Sequence, residues 1–204
     1  MGVLRNLKNA MENKFEQPLE FPPDLFKKFD IVILAESRHG EHDDKIIKFL
    51  EQFINQIDGI FIELPINYQQ FVDRYMTTGE VDQSLEDLFV GAEKEGKNTR
   101  GLLAILDKIK AMQKSATCFD SSKIPQGEYQ NPSNYGRYFL RGKSRDDDMF
   151  TVLQEYQQQN PGKYLLINGA NHSALGQHPQ SGDVTLGQKL HDAYDEKFTE
   201  IVME

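Results

Sequence analysis

The stretch IVILAESRHGEHDD, residues 31–44, decides how the rest of the chain is read. Five apolar residues, Ile31 to Ala35, run without alternation into Glu36, Ser37, Arg38, His39 and Gly40. An unbroken β-branched run is what a strand covered on both faces requires. Polar residues at its end enter either solvent or a shared site. The remaining strands decide which.

Working outward, DDKIIKFLEQFINQI places Ile46, Ile47, Leu50, Phe53, Ile54 and Ile57 on one face of a helix. GIFIELP follows as a second apolar strand closed by Pro65. Strand, helix and strand in that order predict a βαβ unit with a right-handed crossover. NYQQFVDRYMTTG predicts a helix ending near Gly79, and VDQSLEDLFVGAE a less regular one. NTRGLLAILDKIKAMQKS is amphipathic and leads into ATCFD, a third strand. SSKIPQGEYQNPSNYGRYFLRGKS is rich in turn formers and has no period, so it reads as a long loop. RDDDMFTVLQEYQQQNP predicts a helix that Pro161 ends, GKYLLINGANH a fourth strand with its exit, and TLGQKLHDAYDEKF a terminal helix. Residues 1–29 form a polar lead-in with a short helix around PPDLFKKF, and residues 30–204 a single α/β domain. The expected core is a mostly parallel sheet of four or more strands flanked by helices.

The four strands end alike: at Glu36, at Glu63, at Asp120, and at Asn168 to His172. In a parallel sheet those ends share one edge, where open α/β sheets bind ligands. Chains leave a core at strand ends, so one acid there means little. Acids or imidazoles at four of four favour a site.

His39 or His172 can take a proton from water near neutral pH, and Glu36 or Glu63 beside an imidazole fixes its tautomer. Arg145 offers a planar fork for a developing oxyanion. Arg38, Asp120 and Asn171 complete the set as candidate substrate-binding residues, although Arg38 has an equal claim as a surface salt-bridge partner. Glu36, His39, Glu63 and His172 also make a chemically sensible metal set, but their spacing does not select it. Ser37 and Ser173 lie outside any G-x-S-x-G elbow. Cys118 lies within a strand, where an inert buried thiol is expected. The aspartates of RDDD are explained by a helix N-terminus; Arg145 is not.

Bulk properties exclude several classes. The 204-residue chain carries a formal charge of -9, which repels nucleic-acid phosphate and anionic membranes. A lone cysteine allows no intrachain disulfide and suits a reducing compartment. No apolar run is long enough to span a bilayer, and MGVLRNLKNAMENKFEQ has no signal-peptide core. The expectation is a cytoplasmic protein acting on a small molecule.

The motifs also resemble a known superfamily. ILAESRHGEHDD looks like the G-E-x-x-H-G element of the erythromycin esterases and, more loosely, of ChaN-like and Tiki-like proteins. GIFIELP resembles the second strand of that superfamily, RDDDM its R-D-x-x-M, and YLLINGANHSALG its strand followed by G-x-x-H. The order agrees over about residues 30–195. The resemblance implies an α/β fold and a hydrolase of bacterial type, with Glu36, His39, Glu63, Arg145 and His172 at the important positions. There a histidine activates water for attack on an ester, and no cofactor is needed. The Tiki-like branch implies metal-dependent peptide hydrolysis, and the ChaN-like branch a haem-binding or partner-binding module without turnover. A similar fold occurs within large bacterial toxins, which implies a virulence-associated role. Ala35 stands where the esterases usually have glycine, and the chain lacks their extended helical part. It also lacks the lipoprotein cysteine of ChaN-like proteins.

Overall fold

A computed structural model describes residues 21–94, 98–121, 145–177 and 183–203. Residues 1–20 of the lead-in, and the loop expected after the third strand beyond Ser121, lie outside the described residues.

The apolar runs form strands as their composition requires. β1 (Ile31–Glu36), β2 (Gly59–Pro65), β3 (Ala116–Asp120) and β4 (Tyr164–Gly169) are almost wholly buried. A fifth strand, β5 (Phe198–Met203), lies at one edge. The sheet order is β3-β2-β4-β1-β5, and every pairing is parallel.

Helices cover both faces. α1 (Leu25–Lys28), α2 (Asp43–Phe53), α3 (Gln69–Thr78), α4 (Gln83–Lys94) and α5 (Thr99–Ala111) pack on one side. There they meet Val32, Leu34, Ile60, Ile62, Leu165 and Ile167. α6 (Arg145–Gln159) and α8 (Leu186–Tyr194) cover the other side, against Ile31, Ile33, Phe61, Phe119 and Leu166. A one-turn helix, α7 (Ala170–Ser173), follows β4 directly. The period-2 split of each strand between two helix layers explains why the runs show no polar alternation. From Phe21 onward the lead-in belongs to the core. The Phe21 ring stands edge-on to Phe49 at 4.8 Å, within a cluster that includes Phe26 and Phe53.

Local stops follow familiar chemistry. Gly79 takes φ +82 and closes α3, and the Asn98 side chain accepts from Gly101 N to cap α5.

The strand order adds a detail that the sequence reading left open, and the end of the chain departs from it. β1 and β2 are not neighbours, because β4 lies between them. The terminal helix stops at Tyr194, and Phe198 begins β5 instead of ending the helix. Asp195, with φ +45, breaks the helical run.

This topology positions the site. β1 sends the chain over one face toward β2, and β4 sends it over the other toward β5. The C-terminal ends of β1 and β4 therefore diverge, and a crevice opens where the winding reverses.

Candidate active site

Glu36 ends β1 and pairs in register with Gly169, the last residue of β4. The Glu36 carboxylate accepts the Gly40 amide at 2.9 Å, folding the β1 exit back on itself. Gly40 takes φ +75, and a Cβ there would lie 1.9 Å from the Asn98 carbonyl oxygen. Only glycine fits both demands. Asn98 holds the same loop from the other side: its amide donates to the His39 carbonyl at 3.0 Å, and its side chain to the Gly40 carbonyl at 2.6 Å.

The loop so held presents His39 between two carboxylates. Nδ1 lies 3.6 Å from Glu36 Oε2, and Nε2 lies 3.6 Å from Glu63 Oε2. Both separations exceed hydrogen-bonding distance, so neither ring nitrogen is locked to its neighbour. The imidazole is 29% exposed, whereas both carboxylates are buried. A Cβ on Gly169 would come within 2.9 Å of His39 Nε2. The absence of a side chain at 169 leaves His39 its place.

Glu63 and Asp120 are bound together by Arg145, the first residue of α6. Its Nε donates to Asp120 Oδ1 at 2.5 Å, and one terminal nitrogen donates to Asp120 Oδ2 and to Glu63 Oε1, each at 2.6 Å. The second oxygen of Glu63 accepts the Gly169 amide at 2.6 Å. Desolvating three such charges costs about as much as their attraction returns, so the cluster fixes orientation more than it stabilises.

Behind Glu63 stands His172, also buried. Its Nε2 is 3.7 Å from Glu63 Oε1, and Nδ1 is 2.9 Å from Asp146 Oδ1. The same Asp146 oxygen accepts the Leu186 amide at 3.1 Å, at the N-terminus of α8. Asp146 thus fixes the His172 ring and ties it to a helix end.

A cleft of about 750 Å³, counting its open mouth, lies over these groups. Glu36, His39, Glu63, Asp120 and Arg145 line one part of it, and the rest is lined by apolar residues of β2, β4, α4 and α5 together with Gly40, Asn98 and Thr99. His172 does not line the cleft. Arg38 is exposed and pairs with Glu41 at 3.4 Å, and Asn171 is exposed on α7. Neither lines the cleft. Ser37 hydrogen-bonds the His42 ring at 3.0 Å, and Ser173 donates to Glu200 at 2.6 Å. Cys118 is fully buried, and burial pushes its thiol well above the ordinary range. It supplies no nucleophile.

Among the described residues no group of three or more His, Cys, Asp or Glu side chains is placed to hold a metal ion. Glu63, the obvious shared ligand, is already engaged by Arg145 and the Gly169 amide.

Three contributors escaped the sequence reading. Asp146 is the acid of R-D-x-x-M, yet among three successive aspartates it reads as helix-end charge. Gly169 carries no functional group. Asn98 announces itself only as a helix cap, which it also is.

By sequence, the chain matches no family model and no curated protein. Solved structures do match its fold. A histidine variant of erythromycin esterase EreC in its open conformation aligns with TM-score 0.62 at 12% identity, covering 91% of this chain and 74% of that one. A succinoglycan biosynthesis protein aligns with TM-score 0.63 at 11% identity, covering 88% and 67%. The C-terminal region of Pasteurella multocida toxin, described with a thiol-protease-like catalytic triad, aligns with TM-score 0.59 at 15% identity. There the match covers 89% of this chain but only 24% of the toxin. The class is therefore a five-stranded parallel α/β fold of the kind found in an erythromycin esterase and in toxin modules. At these identities the likeness is one of fold.

Proposed function

We propose that this protein is a hydrolase that cleaves an ester, or a related bond, of a small molecule by water activated at His39. The observation carrying the proposal is the placement of a partly exposed imidazole between two buried carboxylates at the mouth of a cleft. In this reading Nδ1 carries the ring proton on the Glu36 side, and Nε2, on the Glu63 side, takes the water proton, so that Glu63 faces the imidazolium that forms. Nothing among the described residues donates to Nε2, so that lone pair is not consumed. Water attacks the carbonyl carbon, and its proton passes to Nε2. The tetrahedral oxyanion collapses, the ester C–O bond breaks, and the imidazolium returns the proton to the leaving alcohol. Arg145 lines the cleft and supplies positive potential to the oxyanion. His172 is a positioning residue that bears on Glu63. No cofactor enters these steps.

A panel of neutral p-nitrophenyl esters tests the reading. On any ester the protein cleaves, His39→Ala and Glu63→Gln are each expected to lower kcat/KM by about a hundredfold or more. Full activity in both variants would overturn it. Titration with hemin, followed by absorbance, checks the rival binding module. A Soret shift at one equivalent together with no turnover on the panel would favour that module.

A further inference from the structure

The segment that opens α5 and the loop that carries His39 meet backbone to backbone. The carbonyls of His39 and Gly40 both accept from Asn98, the first from its amide at 3.0 Å and the second from its side-chain Nδ2 at 2.6 Å. Two glycines make the approach possible. A Cβ on Gly40 would lie 1.9 Å from the Asn98 carbonyl oxygen, and a Cβ on Gly101 would lie 2.2 Å from the Gly40 carbonyl oxygen. Each segment presents bare backbone where the other presents a carbonyl.

The Asn98 side chain has two separate duties. Its Oδ1 accepts the Gly101 amide at 3.3 Å and caps α5. Its Nδ2 reaches the Gly40 carbonyl instead. Aspartate and serine cap a helix about as well as asparagine, since capping needs only an acceptor oxygen. The helix therefore does not call for the amide nitrogen; the loop does. The same turn also belongs to the cleft wall. Thr99, Leu102 and Ile105 line the cleft, and Thr99 Oγ1 donates to Glu93 Oε1 at 2.5 Å, which ties the turn to the end of α4.

We infer that Asn98 is a positioning residue for His39, acting through Nδ2, and that the first turn of α5 holds the imidazole and the cleft wall in one frame. Gly101 serves the same end by having no side chain. The hold on the loop stands on these contacts alone; its effect on turnover rests on the hydrolase reading above.

Asn98→Asp and Asn98→Ser test it, because each keeps a capping oxygen and removes the Nδ2 donor, and the serine adds no charge beside Glu36. The Gly40 amide, which donates to the Glu36 carboxylate, is the reporter. Its hydrogen exchange, followed by NMR, is expected to accelerate about tenfold or more in both variants, while the amides of Ile105 and Ile109 in α5 exchange as in wild type. Unchanged Gly40 exchange overturns the inference, and equal acceleration along α5 reduces Asn98 to a helix cap, which overturns it too. Gly101→Ala is a second probe, since alanine for glycine ordinarily strengthens a helix. Here it is expected to lower the unfolding midpoint and speed Gly40 exchange; a raised midpoint with unchanged exchange counts against the close approach. On any ester whose cleavage His39→Ala abolishes, both Asn98 variants are expected to lower kcat by about tenfold with KM changed less than about twofold. Wild-type kcat beside accelerated exchange overturns the positioning role. If no ester is cleaved, or if His39→Ala leaves cleavage intact, the hydrolase reading fails, and the exchange measurement still decides whether Asn98 holds the loop.

Discussion

The two faces of the sheet use the same strands to opposite ends. On the α6 and α8 face, aromatic and aliphatic side chains pack against the strands, and polar residues there pair, His172 with Asp146 and Ser173 with Glu200. On the α2 to α5 face, packing is dense in the middle but opens above β2 and β4 into the cleft. Glu63 belongs to both. It is held by Arg145 from the first residue of α6, with His172 behind it at 3.7 Å, and it faces His39 across the open face. The comparison teaches a division of labour: one face makes the position of the carboxylate rigid, and the other leaves room for something to use it.

That division can be broken in order of expected effect. On a cleaved ester, His39→Ala should cost about 10²–10⁴ in kcat/KM while circular dichroism and the unfolding midpoint stay near wild type. An equal loss of stability would mean that His39 is structural, and the open face would lose its meaning. Arg145→Ala should destabilise by about 3–5 kcal/mol in urea titration, because Glu63 and Asp120 would be buried without their partner. Leu153→Ala, deep in the closed face, should cost about 2–5 kcal/mol of stability with kcat/KM changed little, as checked by titration and assay on one preparation. Gly169→Ala should reverse that signature. Its methyl group would displace the His39 ring, so activity should fall on the order of 10²-fold with a small change in unfolding midpoint.

The smallest effect lies far from the cleft. Burial, and then a 2.7 Å hydrogen bond to Asp107, push the Tyr75 phenol from 10.0 up to about 12. The folded state favours the neutral phenol, so this stabilisation is complete below pH 10 and is lost as pH rises toward 12. Tyr75→Phe should flatten the fall in unfolding free energy across that window, measured against wild type in the same buffers.

Much of the molecule was legible because its signals are local. The unbroken runs at 31–35 and 60–62 specify strands covered twice, and the spacing of Ile46, Leu50 and Phe53 specifies the helix between them. The convergence of Glu36, Glu63 and Asp120 followed from parallel pairing alone. What was not legible depends on relations across the chain. β4 inserts between β1 and β2, a long-range choice made by packing that no window of sequence encodes. β5 was lost because FTEIVM is short and mixed, as befits an edge strand with part of its surface in solvent. Arg38 and Asn171 stand beside site residues in sequence yet face away in space, since a strand exit turns within two or three residues. Asp146 was hidden by its neighbours, whose shared charge suits a helix start equally well.

Gly169 has a wider consequence. In a saturation library selected for turnover, position 169 should tolerate almost nothing, although it supplies no acid, base or ligand. In the same library selected for folding alone, it should accept small residues. A map of functional constraint on this protein would mark a residue whose contribution is empty space, and the gap between the two selections would measure how closely a histidine must approach a backbone.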